Sequence, residues 1–76
     1  MTMQEFVDYC EQHCVTFTMH NECFGYPEGV RGITINATVT SPTKGRDVYI
    51  ETEVGMNLEE AIQDCYDGIE SVLKGE

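Results

Sequence analysis

The apolar residues of this chain change their period twice, and that change limits the folds open to it. Met3, Phe6, Val7, Cys10 and Cys14 recur at helical spacing and form one stripe along residues 3 to 14. Thr2 is placed to cap this helix, and Glu5, three residues on, completes a capping box. The period then drops to two. In "VTFTMHN", Val15, Phe17 and Met19 alternate with Thr16, Thr18 and His20. In "ITINATVT", Ile33, Ile35, Ala37 and Val39 share one face, with Thr34, Asn36, Thr38 and Thr40 on the other. In "RDVYIETEV", Val48, Ile50, Thr52 and Val54 alternate with Tyr49, Glu51 and Glu53. The helical period returns with Leu58, Ala61, Ile62, Cys65, Ile69, Val72 and Leu73, behind an Asn57 cap with Glu60 at its third position.

Two connections carry turn chemistry. "NECFGYPEGVRG" (21 to 32 with its flanks) holds three glycines and a proline and reads as a loop. "SPTKG" (41–45) reads as a hairpin turn in which Gly45 takes positive φ. Gly68 stands inside the second helix, where glycine costs ~1 kcal/mol against alanine. Close approach of a neighbour is the expected reason. Short connections make the three strands an antiparallel meander. One sheet face is apolar and each helix has one apolar stripe, so both helices should cover that face. The expectation is an α+β fold of order α-β-β-β-α, with residues 1–76 as a single domain. A core of that size is worth only ~3–5 kcal/mol net, so a partner or self-association would help it.

Charge narrows the function. Fourteen Asp and Glu against four Lys and Arg give a net charge of −10. Nucleic-acid affinity rests on cations that displace counterions from phosphate, so direct DNA or RNA binding is not expected. The same field attracts basic proteins and speeds encounter with them. No apolar run approaches the ~20 residues of a membrane span. The start, "MTMQEFVDYC", lacks the basic and apolar regions of a signal peptide, so a cytoplasmic protein with reduced cysteines is expected.

The stretch "CEQHCVTFTMHNEC" raises the question of a metal. Its spacing, C-x3-C-x5-H-x2-C, differs at every interval from the C-x2-C-x4-H-x4-C of a retroviral-type zinc knuckle. Cys10 and Cys14 lie on the apolar stripe, where a reduced cysteine acts as a small hydrophobe. His20 alternates away from Met19 and Phe17. The reading is no metal and no cofactor, with a small zinc module as the lesser alternative. No nucleophile–base constellation and no phosphate-binding loop is visible, so no enzyme is expected.

What remains is the surface. On the third strand Asp47, Tyr49, Glu51 and Glu53 form a row of anions around an aromatic, spaced ~6.6–6.8 Å per two residues. Tyrosine is a common interface anchor. An edge position would add protection against sheet-to-sheet pairing. The second helix carries Glu59, Glu60, Asp64, Asp67 and Glu70, which continue past what the helix dipole favours. Lys74 stands four residues after Glu70 as its partner. Phe24 and Tyr26 add two aromatics in the glycine-rich stretch.

The α-β-β-β-α order resembles the double-stranded RNA-binding domain across the whole chain, at the level of layout. That family opens its second helix with lysines that grip phosphate; here the matching stretch is "NLEEAIQD", and the binding chemistry does not carry over. In size, charge and lack of catalytic motif the chain also resembles small acidic phage-encoded inhibitors, including anti-CRISPR proteins and other nucleic-acid mimics. That resemblance implies a basic nucleic-acid-binding protein or ribonucleoprotein as partner, contacted through Asp47, Tyr49, Glu51 and Glu53 first. Glu60, Asp64 and Asp67, then Phe24 and Tyr26, come second. It also places the protein in the host cytoplasm. The alternative is a homo-oligomeric structural or accessory protein, for example a homodimer, whose acids only keep it in solution.

Overall fold

The computed structural model describes the backbone of residues 1–24, 30–53 and 56–75, with side chains throughout except at 22–24, 30 and 31. The elements run α1 (Met3–Gln12), β1 (Thr16–Phe24), β2 (Val30–Thr40), β3 (Asp47–Glu51) and α2 (Leu58–Leu73). The strands form one antiparallel sheet of order β1-β2-β3, so β2 is central and the other two are edges. Both helices lie on one face of it: α2 crosses β2 and β3, while α1 meets β1 and α2. This is the expected α+β arrangement.

Helix α1 starts where its capping box dictates. The Thr2 hydroxyl accepts from the Glu5 N–H at 3.1 Å, and the Thr2 N–H donates to Glu5 Oε1 at 2.9 Å. These bonds, first of all the one from the Thr2 backbone, hold the Glu5 carboxyl below its usual range. The helix ends earlier than the apolar stripe suggests, at Gln12. Cys14 takes a left-handed φ of 56° and is exposed, so it leaves the stripe rather than extending it. That turn brings Val15 back into the core, with its N–H bonded to the Cys10 carbonyl at 2.8 Å.

The register sets the faces. Phe17↔Ala37↔Ile50 and Met19↔Ile35 point to the helices, and Thr16↔Thr38↔Tyr49 and Thr18↔Asn36↔Glu51 point away. Phe6, Cys10, Ile35, Val39, Ile62, Cys65 and Ile69 fill the interior between sheet and helices. The Phe6 and Phe17 rings meet edge-on at 5.0 Å, which seats α1 on β1. On α2, a Cβ at Gly68 would lie 3.1 Å from Ile50 Cγ2. The helix rests on β3 at the one position without a side chain, which is the neighbour the mid-helix glycine implied.

The glycine-rich stretch expected as a loop is partly strand. Asn21↔Ile33, Glu22↔Gly32, Cys23↔Arg31 and Phe24↔Val30 continue the β1–β2 ladder. Ladder bonds are made by backbone, so the composition that argued for a loop does not prevent pairing there. The tight turn at 41–45 forms as expected. The Ser41 N–H donates to the Arg46 carbonyl and the Gly45 N–H to the Ser41 carbonyl, with Gly45 at φ 64°.

Strand β3 stops short of the expected stretch through Val54. Thr52 still donates its N–H to the Ile35 carbonyl, but the Ile35 N–H is taken by the Thr52 hydroxyl at 2.9 Å. A side chain has replaced the strand's own carbonyl, and the ladder ends. The Ile33 N–H bonds the Met56 carbonyl at 2.8 Å, and Val54, expected on this strand, lies outside the described residues. At α2, Asn57 Oδ1 accepts from the Glu60 N–H at 2.8 Å. Among the described residues this is the half of the expected capping box that forms.

Candidate functional site

The outer face of the sheet is uncovered along β3. Asp47, Tyr49 and Glu51 alternate outward with the half-buried Val48 and Ile50, and Glu53 is exposed beyond the buried Thr52. Tyr49 is 62% exposed, the most of any large apolar side chain among the described residues. Exposure of that size is not explained by core packing. Beside this row stand the exposed Thr16, Thr18, Thr38 and Thr40. Thr40 donates to Asp47 Oδ1 at 2.8 Å, which fixes that carboxylate at the turn end. Among the described residues no cation pairs with Glu51 or Glu53.

The threonine face is not open throughout, as its alternation suggested. Thr34 is buried, and its hydroxyl and the Asn36 side-chain carbonyl find no hydrogen-bond partner among the described residues. Burial on this face falls on Thr34 and, in part, on Asn36, while Thr16, Thr18, Thr38, Thr40 and the Asp47–Glu53 row stay exposed around them.

The second group of acids lies elsewhere. Glu60, Asp64 and Asp67 are exposed on α2, while Ala61, Ile62, Cys65 and Ile69 of the same helix face the sheet. The structure thus sets these carboxylates on the helical layer and the Asp47–Glu53 row on the opposite side of the sheet, as two surfaces. Asp67 accepts from the Gln63 side chain at 2.9 Å. Glu70 belongs to neither surface. It sits at the seam between helices, where Tyr9 O–H donates to Glu70 Oε1 at 2.5 Å and Lys74 Nζ approaches Oε2 at 3.7 Å. The bond from Tyr9 holds the Glu70 carboxyl below its usual range. Burial, then the neighbouring carboxylate, pushes the Tyr9 hydroxyl well above its own. The Tyr9 ring packs on Tyr66 at 4.8 Å and on His13 at 4.5 Å. This seam joins residues 61 apart in sequence, and no local spacing announces such a pair.

Phe24 is in β1, but its side chain lies outside the described residues, as does Tyr26 entirely. Of the cysteines and histidine of the first stretch, Cys10, Cys14 and His20 are dispersed, and the Cys23 side chain lies outside the described residues. Cys10 is in the core, Cys14 is exposed past the end of α1, and His20 points to the outer sheet face. Among the described residues no three His, Cys, Asp or Glu side chains are grouped to hold a metal ion. Burial pushes the Cys10 thiol up to about 11 and the Cys65 thiol up to about 12, far from the thiolate that nucleophilic chemistry needs. No described helix is long and apolar enough to cross a membrane.

One concavity escaped the sequence. The starts of α1 and α2 flank a groove of about 650 Å³ whose apolar lining is Met1, Met3, Leu58 and Ile62. Glu5, Glu59 and Glu60 stand on its rim. Its existence depends on two helix N-termini being neighbours, which only the packing decides. No protein family, no curated protein and no solved structure matches the chain.

Proposed function

We propose that this chain is an acidic protein-binding inhibitor that occupies the basic nucleic-acid-binding surface of a partner, as anti-CRISPR proteins and other phage-encoded nucleic-acid mimics do. One observation carries the reading. An aromatic residue, Tyr49, stands exposed among Asp47, Glu51 and Glu53 on an uncovered sheet face of a chain of net charge −10. The carboxylates take the place of phosphates against the partner's Lys and Arg side chains. Tyr49 supplies the desolvated contact that turns electrostatic attraction into a seated complex. The acids of α2, on the other side of the molecule, add to the field that steers encounter. The protein works by occupancy, in the host cytoplasm, without chemistry of its own.

The test is affinity capture from host lysate at low and at high salt, followed by binding measurements with the Glu51→Gln/Glu53→Gln and Tyr49→Ala variants. The captured partner should be a basic nucleic-acid-binding protein, released by moderate salt because exposed charge pairs are screened. The double variant should bind more slowly and lose much of its salt dependence, with its fold intact by circular dichroism. Unchanged affinity in both variants would remove the sheet face from the interface.

A further inference from the structure

We infer that β1 is a docking edge for a second copy of this chain, making a symmetric dimer with a continuous six-stranded sheet. The inference goes beyond the proposed inhibitory role and does not depend on it.

The hydrogen-bonding parity of β2 settles which groups of β1 are free. Ile33, Ile35 and Ser41 turn their N–H groups toward β3 and the segments that flank it. Antiparallel strands alternate, so Thr34, Asn36 and Thr38 turn theirs toward β1 and bond His20, Thr18 and Thr16. Phe17, Met19 and Asn21 therefore present their N–H and C=O groups outward, at an edge that no other strand among the described residues covers.

The two edges of the sheet differ in how they answer a second strand. Edge β3 is five residues long and carries Asp47 and Glu51. Pairing it with itself about Tyr49 would set Asp47 against the partner's Glu51, a like-charge contact that blocks association. Edge β1 is nine residues long, with no Lys, Arg or Pro, and Thr16 to Asn21 includes no acid. On a chain of net charge −10, this stretch lets a second copy pair about Met19 with no acid set against another acid, Glu22 falling opposite the partner's Thr16. Side chains point the same way. Phe17 and Met19 lie on the helix-covered face yet stay only half-buried. α1 reaches β1 through Phe6 on Phe17, so Met19 and Asn21 lie further along, past that contact.

An antiparallel pairing about Met19 uses all of this at once. Met19 exchanges both backbone bonds with the partner's Met19, and Phe17 with the partner's Asn21. The Met19 side chain then meets the partner's Met19 across the two-fold axis, and each Phe17 lies opposite the partner's Asn21 and diagonal to the partner's Met19. The contact is self-complementary and closed, so it stops at two copies.

Light scattering and amide hydrogen exchange on the purified full chain test this. The mass should rise with concentration toward twice 8.6 kDa. Added salt should favour the dimer, because two like-charged chains repel less when screened; a basic partner would show the opposite trend. The amides of Phe17, Met19 and Asn21 should exchange at least about tenfold more slowly in concentrated than in dilute protein. Asn21→Pro removes an outward N–H and spares the β1–β2 ladder, so it should leave a folded monomer. If that variant does not fold, the concentration dependence of the three wild-type amides decides alone. A chain still monomeric at about 1 mM, or a dimer in which those amides stay fast, overturns the inference. So does a dimer that survives Asn21→Pro, and so does a β1 edge that pairs only with a strand of another protein.

Discussion

Replacing Gly68 with alanine pits two effects of similar size against each other. In an isolated helix the change would stabilise by ~1 kcal/mol. Here the new Cβ would lie 3.1 Å from Ile50 Cγ2 and 3.5 Å from Cδ1. Carbon atoms rest at ~3.5–4.0 Å, so the first contact is short by ~0.4 Å or more. Relieving such a clash by moving side chain or backbone costs ~1–3 kcal/mol. Ile50 is only half-buried and can give some way, which favours the lower end of that range. Gly68→Ala should therefore fall between no change and ~2 kcal/mol of destabilisation, the difference of these two ranges. For a chain this small that is up to ~8–16 °C in Tm. The decisive measurement is a double-mutant cycle with Ile50→Ala, which deletes each of the three atoms near the new Cβ. In that background Gly68→Ala should recover its ~1 kcal/mol of helix stabilisation. Urea unfolding followed by circular dichroism, in a stabilising osmolyte so that the weaker variants stay folded, gives both legs. If Gly68→Ala stabilises the wild type by the full ~1 kcal/mol, and the two changes add within ~0.3–0.5 kcal/mol, the close approach is not what keeps glycine there. The contact seats β3, the strand that displays Tyr49 and Glu51 in the proposed interface.

Two further outcomes follow from named bonds. Thr52→Val should destabilise by ~1–3 kcal/mol, because the buried Ile35 N–H loses its acceptor; Thr52→Ser should restore most of the loss, and equal stability of all three proteins by urea midpoint would contradict this. Tyr9→Phe should weaken the fold in a pH-dependent way. The folded-state Glu70 carboxyl lies below its ordinary value of 4.5. Its contribution is therefore complete above that value and fades as pH falls through the lower folded one. The urea-midpoint gap between wild type and Tyr9→Phe should be widest near pH 7 and should shrink below about pH 4.5; a gap constant across that range would break the link to Glu70.

Much of this architecture was legible because its signals are local. A capping box needs two residues three apart, and Thr2 with Glu5 supplies both. The alternation of Val48 and Ile50 with Tyr49 and Glu51 follows from the pleat of a strand, so the outward row of β3 could be read before any packing was known. The misreadings arose where backbone or distant atoms decide. Composition marked 21 to 32 as a loop, yet backbone pairing carried the hairpin to Phe24 and Val30. The apolar stripe runs on to Cys14, but the helix ends at Gln12 and Cys14 itself takes the left-handed φ that turns the chain. Spacing pairs Glu70 with Lys74, which the structure shows, but gives no sign of its bond from Tyr9 on the other helix.

Spacing and charge settle which residues form each element, which side of each element is apolar, and that the surface is anionic, because these depend on neighbours within a few positions. The short connections already imply the meander that makes β1 and β3 edges, but packing alone decides that the starts of α1 and α2 flank one groove. It also decides that Gly68 meets Ile50 and that Tyr9 meets Glu70. Those facts are contacts between residues far apart in the chain, and they exist only once the hydrophobic faces have found each other.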